Sequence, residues 1–313
     1  MYLKRMATPS FFILNDIFQI KTGKEVTTNM TKTGFIKTSD NAKIYYTEEG
    51  NGQPIIFIHG WSSSGEHSFS HISARLKDKA RCIYYDLRGH GRSYSCNVSS
   101  IGRLTQDLHD LIVELELKDV ILVGHSLGGL IIYDYFQKYE GARVVATAVL
   151  DMSPKVLCST DWEFGLRTVE NPNGAKNERL MQNMVYDFMK LSGWQFKVAA
   201  HFASMMSPVP FGSVLYSLWL DMLDADFREG AKKINVPMRY FASSNGMYPK
   251  TVCDWLKEHV QGEIECFYMA GYDHFTMMMQ GEYIATRVED LLNKEPEKKS
   301  KSKKSEEVAD KKE

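Results

Sequence analysis

The sequence lacks long apolar runs and a strong charge of either sign. No stretch of its 313 residues approaches the roughly 18 consecutive apolar residues that cross a bilayer, so we expect no membrane span. The net charge is −1, which gives no basis for bulk attraction to nucleic acid. Hydrophobic residues make up 43% of the chain and charged residues 25%, as in a globular protein with a substantial core.

Cysteine is also scarce, and its spacing excludes the usual cysteine-rich scaffolds. The chain has five cysteines, an odd number, and none forms a CxxC pair: Cys82, Cys96, Cys158, Cys253 and Cys266. This pattern argues against a disulfide framework and against a zinc site. We therefore expect free thiols, no bound metal and a reducing, cytoplasmic compartment.

Both ends of the chain differ from its middle. Residues 1–33 contain a short apolar run interrupted by Asp16, without the length or cleavage site of a signal peptide, and we expect a poorly ordered extension. Residues 294–313 alternate lysine, acid and serine, so they cannot bury enough apolar surface to fold. We expect a disordered tail there.

Between the ends, apolar runs alternate with amphipathic segments. "PIIFIHG" (54–60) and "DVILVG" (119–124) are continuous apolar runs, typical of strands covered on both faces. "IGRLTQDLHDLIVELEL" (101–117) repeats its apolar residues at helical spacing. Strands that alternate with helices predict an α/β fold with a mostly parallel, doubly wound sheet.

The alternation stops in one internal segment. It holds over 34–153, gives way to a tryptophan- and methionine-rich segment at 154–230, and resumes over 231–293. We therefore predict an α/β core formed by 34–153 and 231–293, with 154–230 as a helical cap. The apolar side chains of the cap could line a partly apolar substrate pocket or form the cap's own core.

The strongest chemical signal is "VGHSLGGL" (123–130). It contains a G-x-S-x-G between a predicted buried strand and a predicted helix. In that context the motif forms a sharp turn that exposes the serine hydroxyl, while its glycines allow close backbone approach. Ser126 is the candidate nucleophile, and the following helix N-terminus favours a developing negative charge.

Four motifs together resemble the α/β-hydrolase superfamily. They are "HGW" (59–61), "YDLRGHGRS" (85–93), "GHSLGG" (124–129) and "YDHF" (272–275). The resemblance implies an α/β-hydrolase fold with the cap inserted after the sixth strand. It also implies His274 as the catalytic base, with the N–H groups of Leu127 and Trp61 as the oxyanion hole. The Trp61 ring could form pocket wall or plain core.

The acid of the triad is missing from its usual place. In most members it follows the strand that matches "MRYFASS", but here the loop offers only Ser243, Ser244 and Asn245. Asp151 ends the preceding strand, where certain dehalogenases and cofactor-independent dioxygenases of the superfamily carry their acid. We predict Asp151 as the acid. Two alternatives stay open: Asn245 orients the imidazole, or Asp151 only caps its own segment.

These residues favour a serine hydrolase that cleaves a carboxylic ester, lactone or thioester through an acyl-enzyme on Ser126. The chemistry needs no cofactor, and the expected partner is a small, partly apolar ester-type substrate. A cofactor-independent dioxygenase or haloperoxidase-like enzyme is the alternative on the same fold. A third possibility is a non-catalytic ligand receptor.

Overall fold

The computed structural model describes residues 31–93, 100–166 and 213–293. The predicted tail, residues 1–30 of the predicted extension, Cys96 and the middle of the predicted cap (167–212) lie outside the described residues. The first strand begins at Lys32, two positions before the expected start of the core at 34.

Eight strands form one sheet in the order β1-β2-β4-β3-β5-β6-β7-β8. They are β1 (Lys32–Lys37), β2 (Lys43–Glu49), β3 (Gln53–Ile58), β4 (Ala80–Tyr85), β5 (Val120–His125), β6 (Val144–Leu150), β7 (Met238–Asn245) and β8 (Ile264–Asp273). Only the pairs β1–β2 and β2–β4 are antiparallel. The predicted doubly wound α/β fold is confirmed.

Helices pack on both faces of this sheet. They are α1 (Gly65–Leu76), α2 (Ile101–Glu114), α3 (Leu127–Tyr139), α4 (Ser213–Leu223), α5 (Arg228–Lys232), α6 (Val252–His259) and α7 (Gly281–Glu289). Serine side chains cap two N-termini: the hydroxyls of Ser64 and Ser100 accept from the N–H groups of His67 and Arg103. Among the helices of the described residues, none combines the length and apolarity needed to cross a membrane.

Alternate residues of the central strands enter two separate cores. Ile56 and Ile58 of β3 belong to the larger core, whereas Ile55 and Phe57 belong to the smaller one on the opposite face. Every residue of β5 is buried. A strand covered on both faces reads as a continuous apolar run, which is why "VILVG" predicted its position from sequence.

The described parts of the predicted cap lie against the core. The N–H of Val156 donates to the carbonyl of Ala225, which joins the segment after β6 to the segment after α4. The Asp221 carboxylate on α4 accepts from the N–H of Ile101 at 2.6 Å, at the start of α2. Helix α4 is therefore tied to the N-terminus of a core helix.

One sequence expectation about the cysteines is wrong. Cys253 on α6 and Cys266 on β8 form a disulfide, with their Cα atoms 6.3 Å apart. The residues are separated by 13 positions in sequence, and only the packing of α6 against β8 brings them together. A bridge between adjacent elements needs no CxxC pattern. Cys82 and Cys158 are free thiols.

Candidate active site

Ser126 occupies a strained turn between β5 and α3. Its φ of 55° and ψ of −120° are rare for a residue with a side chain. The flanking glycines make the turn possible, because a Cβ on Gly124 would lie 2.4 Å from the Gly128 carbonyl oxygen. A Cβ on Gly128 would lie 2.1 Å from the carbonyl oxygen of Ile58. The G-x-S-x-G therefore has the backbone conformation that its context predicts.

Strand register places Asp151 beside this turn. His125 and Leu150, the last residues of β5 and β6, are paired in the parallel ladder. Ser126 and Asp151 follow them directly, and the N–H of Ser126 donates to the carbonyl of Leu150. Asp151 also has a positive φ, 47°. Two strained residues thus lie side by side at the carboxyl edge of the sheet.

His274 completes the constellation from the loop after β8. Its Nδ1–H donates to Oδ2 of Asp151 at 2.8 Å, and both side chains are almost fully buried. The N–H of Met247 donates to the same oxygen at 3.2 Å. This tautomer leaves Nε2 as the acceptor that a general base needs. The structure brings Ser126, Asp151 and His274 to one site, whereas Asn245 is exposed at the end of β7.

The loop after β3 is held in place by two buried histidines. His59 Nε2 accepts from the N–H of Leu87, and His90 Nε2 accepts from the N–H of Ser62. Burial lowers the pKa of His59 to about 4, and burial, followed by the nearby His59, lowers the pKa of His90 to about 3. Both imidazoles are therefore neutral at pH 7, as these acceptor roles require.

The two predicted oxyanion donors flank the nucleophile. Leu127 is the first residue of α3, and the first N–H groups of a helix lack partners within it. On the other side, a Cβ on Gly60 would lie only 3.1 Å from the Cβ of Ser126, so the loop carrying Trp61 is pressed against the elbow. Both of the segments that carry the predicted donors therefore lie next to Ser126, where an oxyanion hole requires them.

A further histidine, His125, contacts the backbone of the candidate base His274. His125 Nε2–H donates to the backbone carbonyl of His274 at 2.8 Å, and the two rings are 4.7 Å apart. Burial, followed by the neighbouring His274, lowers the pKa of His125 to about 3, so it stays neutral. Its position inside the G-x-S-x-G was the available signal, but the partner lies 149 residues away.

Ser126 and His274 open into a pocket whose other lining is apolar or aromatic. Those lining residues are Trp61, Val156, Leu166, Trp219, Met222, Leu223, Met247, Tyr248 and Phe275. No Asp, Glu, Lys or Arg of the described residues lines it. Part of the cap is therefore pocket wall, one of the two roles that sequence left open.

The Trp61 side chain joins this pocket to the cap. Its Nε1–H donates to the carbonyl of Leu215 on α4 at 2.9 Å, and its ring lies 5.6 Å from that of Trp219. The residue that carries a predicted oxyanion donor is thus bonded to a cap helix. Its ring both lines the pocket and packs against the larger core.

Among the described residues, no three His, Cys, Asp or Glu side chains are grouped so that they could hold a metal ion. Ser126 and His274 line the pocket and Asp151 is hydrogen-bonded to His274, so the site brings together the three residue types that activate a serine for acyl transfer. Chemically, the site can deprotonate a hydroxyl, stabilise an oxyanion and protonate a leaving group.

Residues 55–287 match the model of the alpha/beta hydrolase family, which is more than half of the chain. The protein therefore belongs to this family.

Two of the similar curated proteins have different named activities. A stretch of 154 residues is 32% identical to the non-heme chloroperoxidase CPO-A1 of Kitasatospora aureofaciens, covering 49% of this chain and 51% of that one. The chain spans about half the length of this and similar curated relatives. It is 25% identical over 246 residues to the pimeloyl-[acyl-carrier protein] methyl ester esterase of Vibrio cholerae, covering 76% and 94% of the two chains.

A solved structure gives the same fold. The esterase EaEST from Exiguobacterium antarcticum superposes with a TM-score of 0.72 at 21% identity, covering 82% of this chain and 98% of that one. At this identity the likeness establishes the α/β-hydrolase fold.

Proposed function

We propose that this protein is a serine hydrolase that cleaves carboxylic esters with an apolar acyl group through an acyl-enzyme on Ser126. The single observation that carries the proposal is the buried hydrogen bond between His274 and Asp151 beside the Ser126 elbow, at the floor of an apolar pocket. Among the residues that the structure describes, no Lys or Arg lines the pocket to pair with a substrate carboxylate, so an uncharged acyl group suits it best.

The reaction follows from the positions of these groups. Ser126 Oγ attacks the ester carbonyl while Nε2 of His274 takes its proton, and the resulting oxyanion accepts from the N–H groups of Leu127 and Trp61. The imidazolium then protonates the leaving alkoxide as the C–O bond breaks. Water, deprotonated by the same imidazole, attacks the acyl-enzyme and releases the acid. Asp151 stabilises the imidazolium in both halves.

p-Nitrophenyl esters from acetate to octanoate test the proposal. We expect turnover by the wild type, loss of turnover in Ser126→Ala, and full activity in Ser70→Ala, a control serine on α1 outside the pocket. p-Nitrophenyl butyrate should be cleaved much faster than the corresponding succinate half-ester, because the succinyl carboxylate would be buried without a partner. Equal rates for these two esters would refute the apolar acyl class.

A second candidate rests on the names of the relatives, several of which are chloroperoxidases. If hydrogen peroxide replaced water as the nucleophile on the same acyl-enzyme, the product would be a peracid, which can oxidise a halide. Halide oxidation that needs both hydrogen peroxide and a carboxylic acid or ester, and that disappears in Ser126→Ala, would support this activity.

Oxygen consumption with a heteroaromatic substrate and no ester turnover would favour the dioxygenase alternative. Tight ligand retention without turnover would favour the receptor.

A further inference from the structure

Only one of the two carboxylate oxygens of Asp151 has hydrogen-bond partners among the described residues. Oδ2 accepts from His274 and from the N–H of Met247, whereas Oδ1 has no hydrogen-bond partner among the described residues. Asp151 is fully buried. A buried carboxylate oxygen without a donor is energetically costly, and it weakens the restraint on the side chain.

A second orphaned polar atom lies on the neighbouring strand. The Oγ of Ser243, on β7, is also buried and without a partner. Both of these unpaired oxygens lie close to Gly246. A Cβ built on Gly246 would be 2.5 Å from Oδ1 of Asp151 and 2.7 Å from Oγ of Ser243. The two oxygens are therefore neighbours, and glycine at 246 leaves the space between them open.

The chemistry of the two atoms is complementary. A carboxylate oxygen only accepts, and a serine hydroxyl rotates freely and can donate. Ser243 also sits in the segment where the superfamily usually carries its acid, so the end of β7 faces the position that a triad carboxylate occupies. Its hydroxyl is placed to assist the carboxylate that β6 supplies here.

We propose that Ser243 is a positioning residue, whose hydroxyl donates to Oδ1 of Asp151, directly or through one bridging water, and so holds the carboxylate in line with His274. The inference rests on the proposed function of this site. It assigns Ser243 no contact with the substrate.

Two buried tyrosines and one buried histidine near the pair stay neutral over the working range. Burial, with a smaller effect of Asp151, raises the pKa of Tyr248 well above its usual value, and burial raises that of Tyr133 on α3 in the same direction. Burial lowers the pKa of His125, on β5, to about 3.

Ser243→Ala tests the proposal through the pH profile of kcat/KM. Without the Ser243 hydroxyl, no donor partly neutralises the negative charge on Oδ1. The Asp151 carboxylate therefore attracts the His274 imidazolium more strongly. The acidic limb of the kcat/KM profile should shift to a pH about 0.5 units higher. Because the carboxylate is also held less firmly in line with His274, kcat should be about tenfold lower, with KM unchanged. Ser243→Thr, which keeps a hydroxyl, should restore both values.

Ser244→Ala is the matched control. The Ser244 hydroxyl accepts from the N–H of Gly271 and donates to the carbonyl of Tyr272, so it supports the last residues of β8 and makes no hydrogen bond to Asp151. Its removal should leave the acid limb in place. An acid limb that is unmoved in Ser243→Ala, or moved equally in Ser244→Ala, would overturn the proposal.

A measurement that needs no substrate distinguishes a failure of this proposal from a failure of the proposed function. Proton NMR of the His274 ring, assigned by its loss in His274→Gln, gives the pH midpoint of the imidazole directly. The midpoint should rise in Ser243→Ala relative to wild type. If no ester is turned over but the midpoint rises, the proposed function fails while the role of Ser243 stands. An unchanged midpoint refutes the role of Ser243 whether or not esters are cleaved.

Discussion

At the scale of single residues, the site depends on two side chains held in a rare backbone conformation. Ser126 and Asp151 both have positive φ, at the ends of neighbouring parallel strands. Such conformations persist where the surrounding structure over-determines them, and they concentrate at functional sites. Here the buried strands and flanking glycines fix the backbone of Ser126, and the Asp151 side chain is hydrogen-bonded to His274.

Asp151→Asn should lower kcat by about 10³- to 10⁴-fold with little change in KM, since the amide cannot stabilise the imidazolium. Ester turnover measured over a range of substrate concentrations gives both constants. Asn245→Ala is the control, because Asn245 is exposed at the end of β7. Full activity in Asp151→Asn together with loss in Asn245→Ala would show that the acid has been assigned to the wrong residue.

The buried histidines predict a loss of stability in mild acid. The pKa of His59 falls from 6.5 to about 4 on folding, and that of His90 to about 3. Below pH 6.5 the unfolded chain therefore binds more protons than the folded one, so stability falls as the pH falls towards these values. Lowering the pH from 6.5 to 5 should reduce the free energy of unfolding by about 2 kcal/mol for each histidine.

Urea unfolding at pH 7 and pH 5 measures this effect. His90→Gln should show a smaller difference between the two pH values than the wild type, because it removes one buried titrating group. His67→Gln, at an exposed position on α1, should behave as the wild type. Equal sensitivity in all three proteins would contradict the role of His90.

At the scale of secondary-structure elements, the cap and the oxyanion loop are coupled. Trp61→Phe keeps an aromatic ring but removes the Nε1–H that donates to Leu215 on α4. A single hydrogen bond is worth about 1 kcal/mol, so kcat/KM should fall about fivefold, with the loop less firmly placed. Trp255→Phe, on α6 and outside the pocket, provides the comparison in the same ester assay. Equal effects of the two changes would show that the bond to α4 has no particular role.

The disulfide between α6 and β8 should add stability. A reductant should lower the melting temperature of the oxidised protein by an amount that corresponds to about 2–3 kcal/mol, the usual contribution of a bridge over a loop of this length. Cys253→Ser should melt at one temperature with and without reductant. Cys158→Ser, which removes a free exposed thiol, should keep the sensitivity of the wild type. A wild type insensitive to reductant would argue against the bridge.

Elements and local motifs could be predicted from the sequence because their signals are short-range. Buried parallel strands give continuous apolar runs, and the G-x-S-x-G prescribes its own turn. Asp151 could be proposed from the superfamily resemblance and from chain order, since parallel strands bring their carboxyl ends to one edge of the sheet. The disulfide, the bond from His125 to His274 and the bond from Trp61 to α4 could not. Each joins residues that only three-dimensional packing brings together, and nothing in the local sequence encodes the partner.

At the scale of the whole molecule, every functional group of the candidate site comes from the carboxyl edge of one sheet. In the proposed mechanism, β5 leads to the nucleophile Ser126, β6 to the acid Asp151 and β8 to the base His274, while β3 leads into the loop that carries Trp61. Ligand sites of open α/β sheets lie outside this edge. The described part of the cap closes the site with apolar side chains, so the fold itself separates the polar floor from the apolar walls.

Reaction with a p-nitrophenyl alkylphosphonate tests whether Ser126 forms the covalent intermediate. The phosphonyl group mimics the tetrahedral intermediate and stays attached to the attacking oxygen. We expect release of one equivalent of p-nitrophenol, loss of ester turnover, and a mass increase on the peptide containing Ser126, with none of these in Ser126→Ala. Ester turnover that persists in Ser126→Ala, or a label on any other residue, would contradict the account.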